Sequence, residues 1–227
     1  MKNYEYEIDD YLYGIVIRAI RNKKDLLKLL SHTIKYIIEQ ELTKEAGNSV
    51  ALNGRKKLVV RINKMSRLFY CLEDKIISFH LPFMLSVSAK GDFAITYRGK
   101  MRIDSYLSSI LIAVFDDEQL FDGSIVEIYE KIDNILHNNY EVENFDTDMF
   151  WELVTYLMIY EPGYIRFDDD PNPQRMDAVM HPRYHLDINY ESTATYKIGL
   201  GERINIDTLI ALLDITEKCM FIKDGVK

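Results

Sequence analysis

The sequence His181-Pro-Arg-Tyr-His-Leu-Asp-Ile-Asn-Tyr190 decides the fold class, because it alternates between apolar and polar residues without a break. Side chains two positions apart on a β-strand lie on the same face of a sheet. The alternation therefore predicts a strand with one buried face and one polar face. The apolar face carries Tyr184, Leu186, Ile188 and Tyr190, and the polar face carries Arg183, His185, Asp187 and Asn189.

Strand-like segments flank this stretch on both sides. Residues 164–167 form a strand-like segment before a loop that contains Pro171 and Pro173, and residues 194–200 follow a turn near Ser192. Short alternating segments separated by turn-forming residues are typical of antiparallel strands joined by hairpins. The earlier part of the chain therefore predicts an antiparallel meander of four or five strands, over residues 57–62, 68–72, 75–80, 83–88 and 93–97.

Helical segments lie before, between and after these strands. Apolar residues at spacings of three and four predict helices over residues 9–21 and 24–43, which we interpret as an N-terminal helical hairpin within residues 1–45. Three more helices are predicted within residues 102–161 as a helical layer between the strand regions, and a last helix follows the final strand. The sequence thus predicts an α+β fold, an antiparallel or mixed curved sheet packed by helices, in a single domain over residues 1–227.

The composition indicates a globular protein with a substantial core. Hydrophobic residues make up 48% of the 227 residues, and the formal net charge is −8. The negative charge disfavours a dedicated nucleic-acid coat or a protein of the membrane surface. Cys71 and Cys219 match no zinc or redox spacing, and no apolar run reaches the roughly 18 residues that a membrane span needs. We therefore expect a cytoplasmic protein with reduced thiols and no membrane partner.

A run of basic residues without any acid lies between positions 53 and 67. Such runs are usually solvated faces. Basic side chains beside aromatic rings on a sheet also suit single-stranded nucleic acid, because the rings stack on bases. The candidate residues of such a site are Arg55, Lys57 and Arg61, with Tyr70 and Tyr97 as stacking rings.

His185 and Asp187 are the candidate catalytic residues. Their Cα atoms should lie about 7 Å apart on one strand face, twice the rise per residue, and an imidazole beside a carboxylate suits acid–base chemistry. With His181 or Asp168 they would supply the ligand types of a catalytic zinc or non-haem iron site. No helical or CxxC-type ligand spacing supports a metal, so the interpretation we favour is a histidine hydrogen-bonded on a solvated sheet face. We expect no bound metal and no other cofactor.

The segment before the proline-rich loop offers further candidates. If residues 164–167 pair with the His185 strand, the polar faces of the two strands align. Carboxylates beside a histidine could then hold a divalent cation for phosphodiester chemistry. Asp-Asp-Asp-Pro is also an ordinary turn opener, since Asp and Pro favour turns, and this is the interpretation we favour. The candidate binding residues of this region are Arg166, Asp168 and Arg183.

Phe167-Asp168, the proline-rich loop and residues 180–190 together resemble an uncharacterised family of small bacterial proteins. Members of that family carry a similar His-Pro-x-x-His-Leu block between two strands, and the resemblance covers the C-terminal quarter of the chain. These proteins look like the products of accessory genes in mobile elements and phage-defence islands. The resemblance implies a genetic context of that kind and no particular reaction.

Two functional hypotheses follow. In the first, the chain is an accessory module of a bacterial phage-defence or toxin–antitoxin type system, which binds a protein partner through its helices and nucleic acid through the basic residues. The alternative is a hydrolase or nuclease centred on His185 and Asp187. A concave arrangement that brings Arg166 or Asp168 to this pair would favour the enzyme.

Overall fold

The computed structural model describes residues 2–45, 56–62, 65–89, 91–139 and 146–219. In chain order, the strands are β1 (Lys2–Glu7), β2 (Lys57–Ile62), β3 (Arg67–Cys71), β4 (Lys75–His80), β5 (Met84–Val87), β6 (Phe93–Tyr97), β7 (Met101–Ile103), β8 (Ile165–Asp169), β9 (Tyr184–Ile188) and β10 (Tyr196–Gly199). The helices are α1 (Asp10–Val16), α2 (Lys23–Glu45), α3 (Ser105–Asp116), α4 (Ile125–Asn139), α5 (Thr147–Ile159) and α6 (Ile206–Leu213).

The predicted α+β class is confirmed, with helices and two antiparallel sheets. The chain divides into two compact units. The sheet unit comprises Met1–Glu7, Gly54–Leu81 and Pro162–Lys227, and the helical unit comprises Ile8–Asn53 and Pro82–Glu161. That these units form a single domain stays a prediction.

The sheet unit contains a seven-stranded antiparallel sheet in the order β1-β2-β3-β4-β8-β9-β10. One face packs against α6, where Leu209 and Ile210 contact apolar side chains of the strands. The alternation of each strand supplies these side chains, since every second residue points to this face. The strand residues of this core are Val59, Phe69, Ile76, Ile165, Phe167 and Leu186.

The opposite face of the sheet changes character along its width. On β2, β3 and β4 it carries side chains that are fully or almost fully buried, among them Leu58, Tyr70 and Ile77. On the next strand, β8, the residue opposite Ile77 is Arg166. This face of the sheet is therefore apolar on β2, β3 and β4 and charged on β8, β9 and β10.

The predicted meander of four or five strands is wrong in one respect, because its strands belong to two sheets. β2, β3 and β4 lie in the large sheet, whereas β5, β6 and β7 form a separate three-stranded sheet of the helical unit. The division falls at Leu81 and Pro82. Proline has no amide hydrogen and cannot continue a strand ladder, so the pairing of β4 ends before it.

The helical unit contains α1 to α5 beside the three-stranded sheet, and α2 packs mainly along α3. Asp9, Asp104 and Asp146 cap α1, α3 and α5 by accepting hydrogen bonds from backbone amides. The hairpin predicted within residues 1–45 begins too early, since residues 2–7 form β1 in the other unit; that α1 and α2 form a hairpin stays a prediction. No helix in the described part of the chain is long and apolar enough to cross a membrane.

Candidate functional site

The antiparallel register of β8, β9 and β10 brings five polar side chains onto one face of the sheet. Arg166 of β8 lies opposite Asp187 of β9, which in turn lies opposite Lys197 of β10. In the next row along the strands, Asp168 lies opposite His185. Residues directly opposite each other on neighbouring strands share a face. We call Arg166, Asp168, His185, Asp187 and Lys197 the polar cluster.

Asp187 is held between two cations. Its Oδ2 accepts a hydrogen bond from Nη2 of Arg166 at 2.5 Å, and its Oδ1 accepts one from Nζ of Lys197 at 2.6 Å. Nε of Arg166 also donates to Oδ2 of Asp168 at 2.7 Å, so one guanidinium bridges both carboxylates. Charge-assisted hydrogen bonds of this kind are stronger than bonds between neutral groups. They compensate the cost of removing the carboxylates from water.

The pKa of Arg166 reflects the same contacts. Burial by itself would lower the pKa of the guanidinium, whereas Tyr164, Asp168 and Asp187 raise it, and the net shift is upward. Burial raises the pKa of the Tyr164 hydroxyl to about 12. Arg166 is therefore charged and Tyr164 neutral at physiological pH.

His185 has a fixed orientation and tautomer. Its Nδ1 lies 2.9 Å from the carbonyl oxygen of Pro182, which can only accept a hydrogen bond, so Nδ1 carries a proton and donates it. Its Nε2 lies 3.1 Å from Nζ of Lys197, and an ammonium group can only donate, so Nε2 accepts. Its Nε2 lies 3.4 Å from Oδ2 of Asp168 and 3.9 Å from Oδ1 of Asp187.

Gly199 and Pro182 support this orientation of His185. Gly199 lies opposite His185 on β10. A Cβ atom at Gly199 would lie 3.0 Å from Cγ of Pro182, so the close approach of the proline depends on a glycine at this position. The carbonyl group of the closely packed Pro182 is the acceptor for Nδ1 of His185. The ring of His181 packs edge-on against His185, with 4.7 Å between ring centroids.

The two central residues of the polar cluster are buried, so the prediction of a solvated sheet face is wrong for them. His185 and Asp187 are 1% and 5% exposed. The side chains of Arg166 and Lys197 are 28% and 33% exposed. The cluster thus reaches solvent mainly through its cations, and an anionic ligand would approach positive charge first.

Several predicted site residues lie where the sequence analysis placed them. β8 pairs with β9, which confirms that the polar faces of these strands align and bring Arg166 and Asp168 to His185 and Asp187. The interpretation that we favoured for Asp168, a turn opener, is wrong, because Asp168 lies within β8 and pairs with His185. The turn role falls to Asp170, whose Oδ1 accepts a hydrogen bond from the backbone amide of Asn172, at residue i+2.

Other predicted residues lie outside the polar cluster. Arg183 pairs with Asp169, with 2.8 Å between Nε and Oδ1. Asn189 has a positive φ of 69°, and its side chain accepts hydrogen bonds from the two following backbone amides, so it ends β9 in a turn. His181 contacts the ring of His185, but it does not belong to the group of side chains that could ligate one ion.

The basic run does not join the polar cluster, because β3 and β4 lie between β2 and β8 in the sheet. Arg55 lies outside the described residues. Nζ of Lys57 lies 3.6 Å from Glu5, and Nε of Arg61 is buried without a hydrogen-bond partner among the described residues. Tyr70 and Tyr97, proposed as stacking rings, are buried. Whether Arg55, Lys57 and Arg61 bind nucleic acid stays a prediction, now without those two rings.

Sequence analysis missed Lys197 and Gly199. The segment 194–200 is predicted as the hairpin partner of the central strand, so a signal for Lys197 existed in its alternation. Its face could not be assigned, because the turn near Ser192 does not fix which residue of β10 lies opposite Asp187.

The chain matches no protein-family model, no curated protein and no solved structure. Its functional interpretation therefore rests on the residues and geometry described above.

Proposed function

We propose that the polar cluster is the active site of a hydrolase that cleaves phosphodiester bonds, most simply those of a nucleic acid. The observation that carries the proposal is the convergence of Asp168, His185 and Asp187, which offer ligand or base atoms within 4.8 Å of one another on a buried sheet face. Arg166 and Lys197 border these atoms and are partly exposed.

The charge arrangement supports a phosphate ester over a neutral substrate. A phosphodiester carries a negative charge, and the guanidinium of Arg166 and the ammonium of Lys197 are the parts of the cluster that solvent reaches. Positive groups fixed beside a phosphoryl centre stabilise the charge that builds up on its oxygens in the transition state. The carboxylates and the imidazole are less exposed than the two cations, and they are the groups of the cluster that could activate a water molecule.

The reaction needs one proton acceptor and one proton donor. Oδ1 of Asp168 makes no hydrogen bond to any described residue, whereas Oδ2 contacts Arg166 and His185. Asp168 takes a proton from the attacking water, whose oxygen forms the new bond to phosphorus. The bond from phosphorus to the leaving oxygen breaks with its electron pair on that oxygen. Lys197, which uses two of its three N–H groups on Asp187 and His185, protonates the leaving oxygen.

The experiment is a hydrolysis assay with the purified full chain. The substrates are single- and double-stranded DNA and RNA and bis(p-nitrophenyl) phosphate, with Mg²⁺ and Mn²⁺ present and, in parallel, with EDTA. We expect cleavage of at least one substrate, and a rate about 100-fold lower for Lys197→Met, since general acid catalysis is worth about 100-fold or more.

The matched control is Lys44→Met, which removes a lysine of α2 that also has one carboxylate partner, Glu41, at 2.7 Å. We expect its rate to equal that of the wild type. Absence of hydrolysis on every substrate, or equal rates for Lys197→Met and the wild type, would overturn the proposal.

A second candidate is the accessory module of a bacterial phage-defence or toxin–antitoxin type system, which binds a protein partner in the cytoplasm. The observation in its favour is the exposed apolar segment between β8 and β9, in which Val179 and Met180 are each 77% exposed. Exposed apolar patches often mark protein interfaces. A chain that hydrolyses none of the substrates while Val179→Asp loses a co-purifying partner would favour this candidate.

A further inference from the structure

We infer that Asp168, His185 and Asp187 bind one divalent transition-metal ion, and that the ion takes the place which the ammonium of Lys197 holds between them. The inference rests on the proposed function and names the cofactor of that site. It replaces our sequence-based expectation that the chain binds no metal. That expectation rested only on the lack of a familiar ligand spacing in the sequence.

The ligand atoms are already close enough for one ion. Metal–ligand bonds to imidazole nitrogen and carboxylate oxygen are about 2.0–2.2 Å long, so two ligand atoms on opposite sides of an ion lie roughly 4.2 Å apart. Nε2 of His185 lies 3.4 Å from Oδ2 of Asp168 and 3.9 Å from Oδ1 of Asp187. No two atoms of the set are more than 4.8 Å apart.

His185 is oriented as a metal ligand. Metal-binding histidines commonly donate the hydrogen of their other ring nitrogen to a backbone carbonyl or a carboxylate, which fixes the tautomer and directs the free lone pair at the metal. Nδ1 of His185 donates to the Pro182 carbonyl, and Nε2 faces the two carboxylates. An unprotonated ring nitrogen and a carboxylate oxygen both carry lone pairs, so a cation between them relieves their mutual repulsion.

In the structure that cation is the ammonium of Lys197. Its Nζ lies 2.6 Å from Oδ1 of Asp187 and 3.1 Å from Nε2 of His185, and so contacts two of the three ligand atoms. An ammonium and a metal ion cannot occupy the same position. Ion binding therefore displaces Lys197 toward solvent, which its side chain already reaches.

The ligand chemistry selects the class of ion. Carboxylates suit hard cations such as Mg²⁺ and Mn²⁺, and imidazole suits first-row transition ions, so a set with two carboxylates and one imidazole suits Mn²⁺. Arg166 keeps its hydrogen bond to Oδ2 of Asp187 and balances part of the carboxylate charge.

The test is calorimetric titration of the metal-free chain of 227 residues with MnCl₂. We expect one Mn²⁺ per chain. Asp187→Asn should weaken binding at least about tenfold, the smallest loss expected even for a group that only supports a ligand. Lys197→Met should bind Mn²⁺ more tightly than the wild type, because the competing ammonium is gone. Asp169→Asn, which changes the adjacent buried aspartate on the other face, should bind like the wild type.

The result that overturns the inference is no Mn²⁺ binding by the wild type and none by Lys197→Met. Equal affinities of the wild type and Lys197→Met would overturn the displacement of the ammonium. Circular dichroism of each variant identifies a failure to fold, and Lys197→Met keeps the test open if Asp187→Asn does not fold. Hydrolysis that persists in EDTA would contradict the metal site and keep the proposed function. Stoichiometric Mn²⁺ binding without hydrolysis would contradict the proposed function and keep the metal site.

Discussion

Two adjacent aspartates have different environments because successive side chains of a strand point to opposite faces. Asp168 lies in the polar cluster, where its Oδ2 contacts Arg166 and His185. Asp169 lies on the face of the apolar core and pairs with Arg183. Each of the two carboxylates pairs with an arginine, but of the two only Asp168 lies beside an imidazole. The chemistry that we propose depends on this difference of one position.

At the same scale, His80 gives a prediction for the pH dependence of stability. Burial, and then the positive charge of Arg67, lowers the pKa of His80 below its ordinary value of 6.5. As the pH falls, the unfolded chain therefore takes up this proton before the folded chain does, and stability is lost below about pH 6.5. His80→Gln removes this contribution. Its free energy of unfolding should fall less than that of the wild type between about pH 7 and about pH 5.

Urea unfolding at a series of pH values measures this difference. The relevant quantity is the wild-type value minus the value of His80→Gln at each pH, because carboxylates that titrate in both proteins cancel. Parallel pH profiles of the two proteins would contradict the account.

At the scale of elements, β9 is stabilised through its apolar face. Leu186 is 4% exposed and packs with Phe167 of β8 and with Leu209 and Ile210 of α6. Leu186→Ala should lower the free energy of unfolding by about 2–5 kcal/mol, as truncation of a buried leucine does. Ile188, which is only half-buried at the end of the strand, should cost less when it is changed to alanine. A larger loss for Ile188→Ala, measured by urea unfolding, would show that the face of β9 is misassigned.

The elements also show what sequence could predict and what it could not. The alternation in β9 and the apolar stripes of α2 to α5 are local patterns, and they predicted the kind of element correctly. Strand pairing is non-local, so nothing in residues 57–97 indicated that the chain changes sheets at Pro82. The strand at residues 2–7 was missed although Asn3-Tyr4-Glu5-Tyr6-Glu7 alternates, because its partner, β2, begins 50 residues after β1 ends.

The same distinction applies to the site. Arg166, Asp168, His185 and Asp187 were predicted together because they lie at alternating positions of two segments that both looked like strands. Lys197 was missed, since its contact with Asp187 depends on the register of a hairpin. The burial of the polar face was also unpredictable, because alternation indicates which residues share a face and not whether that face is covered.

At the scale of the whole molecule, charge placement matters more than net charge. The chain has a net charge of −8, which would repel a polyanionic substrate on average. The polar cluster presents Arg166 and Lys197 at its open side, and the local field there favours a phosphate. Binding of nucleic acid should therefore weaken with added salt only as far as these few cations contribute, since each neutralised phosphate releases about one counterion.

The central claim is that the polar cluster performs chemistry and is not only a charge-balanced part of the sheet. The most direct test compares Asp168→Asn with Asp169→Asn, two isosteric changes one residue apart, in both hydrolysis rate and melting temperature. We predict that Asp168→Asn lowers the rate by about 100- to 10,000-fold, the usual worth of a general base, and that Asp169→Asn keeps the rate. Equal losses of rate in the two variants, each explained by a lower melting temperature, would contradict the account and show that the cluster is structural.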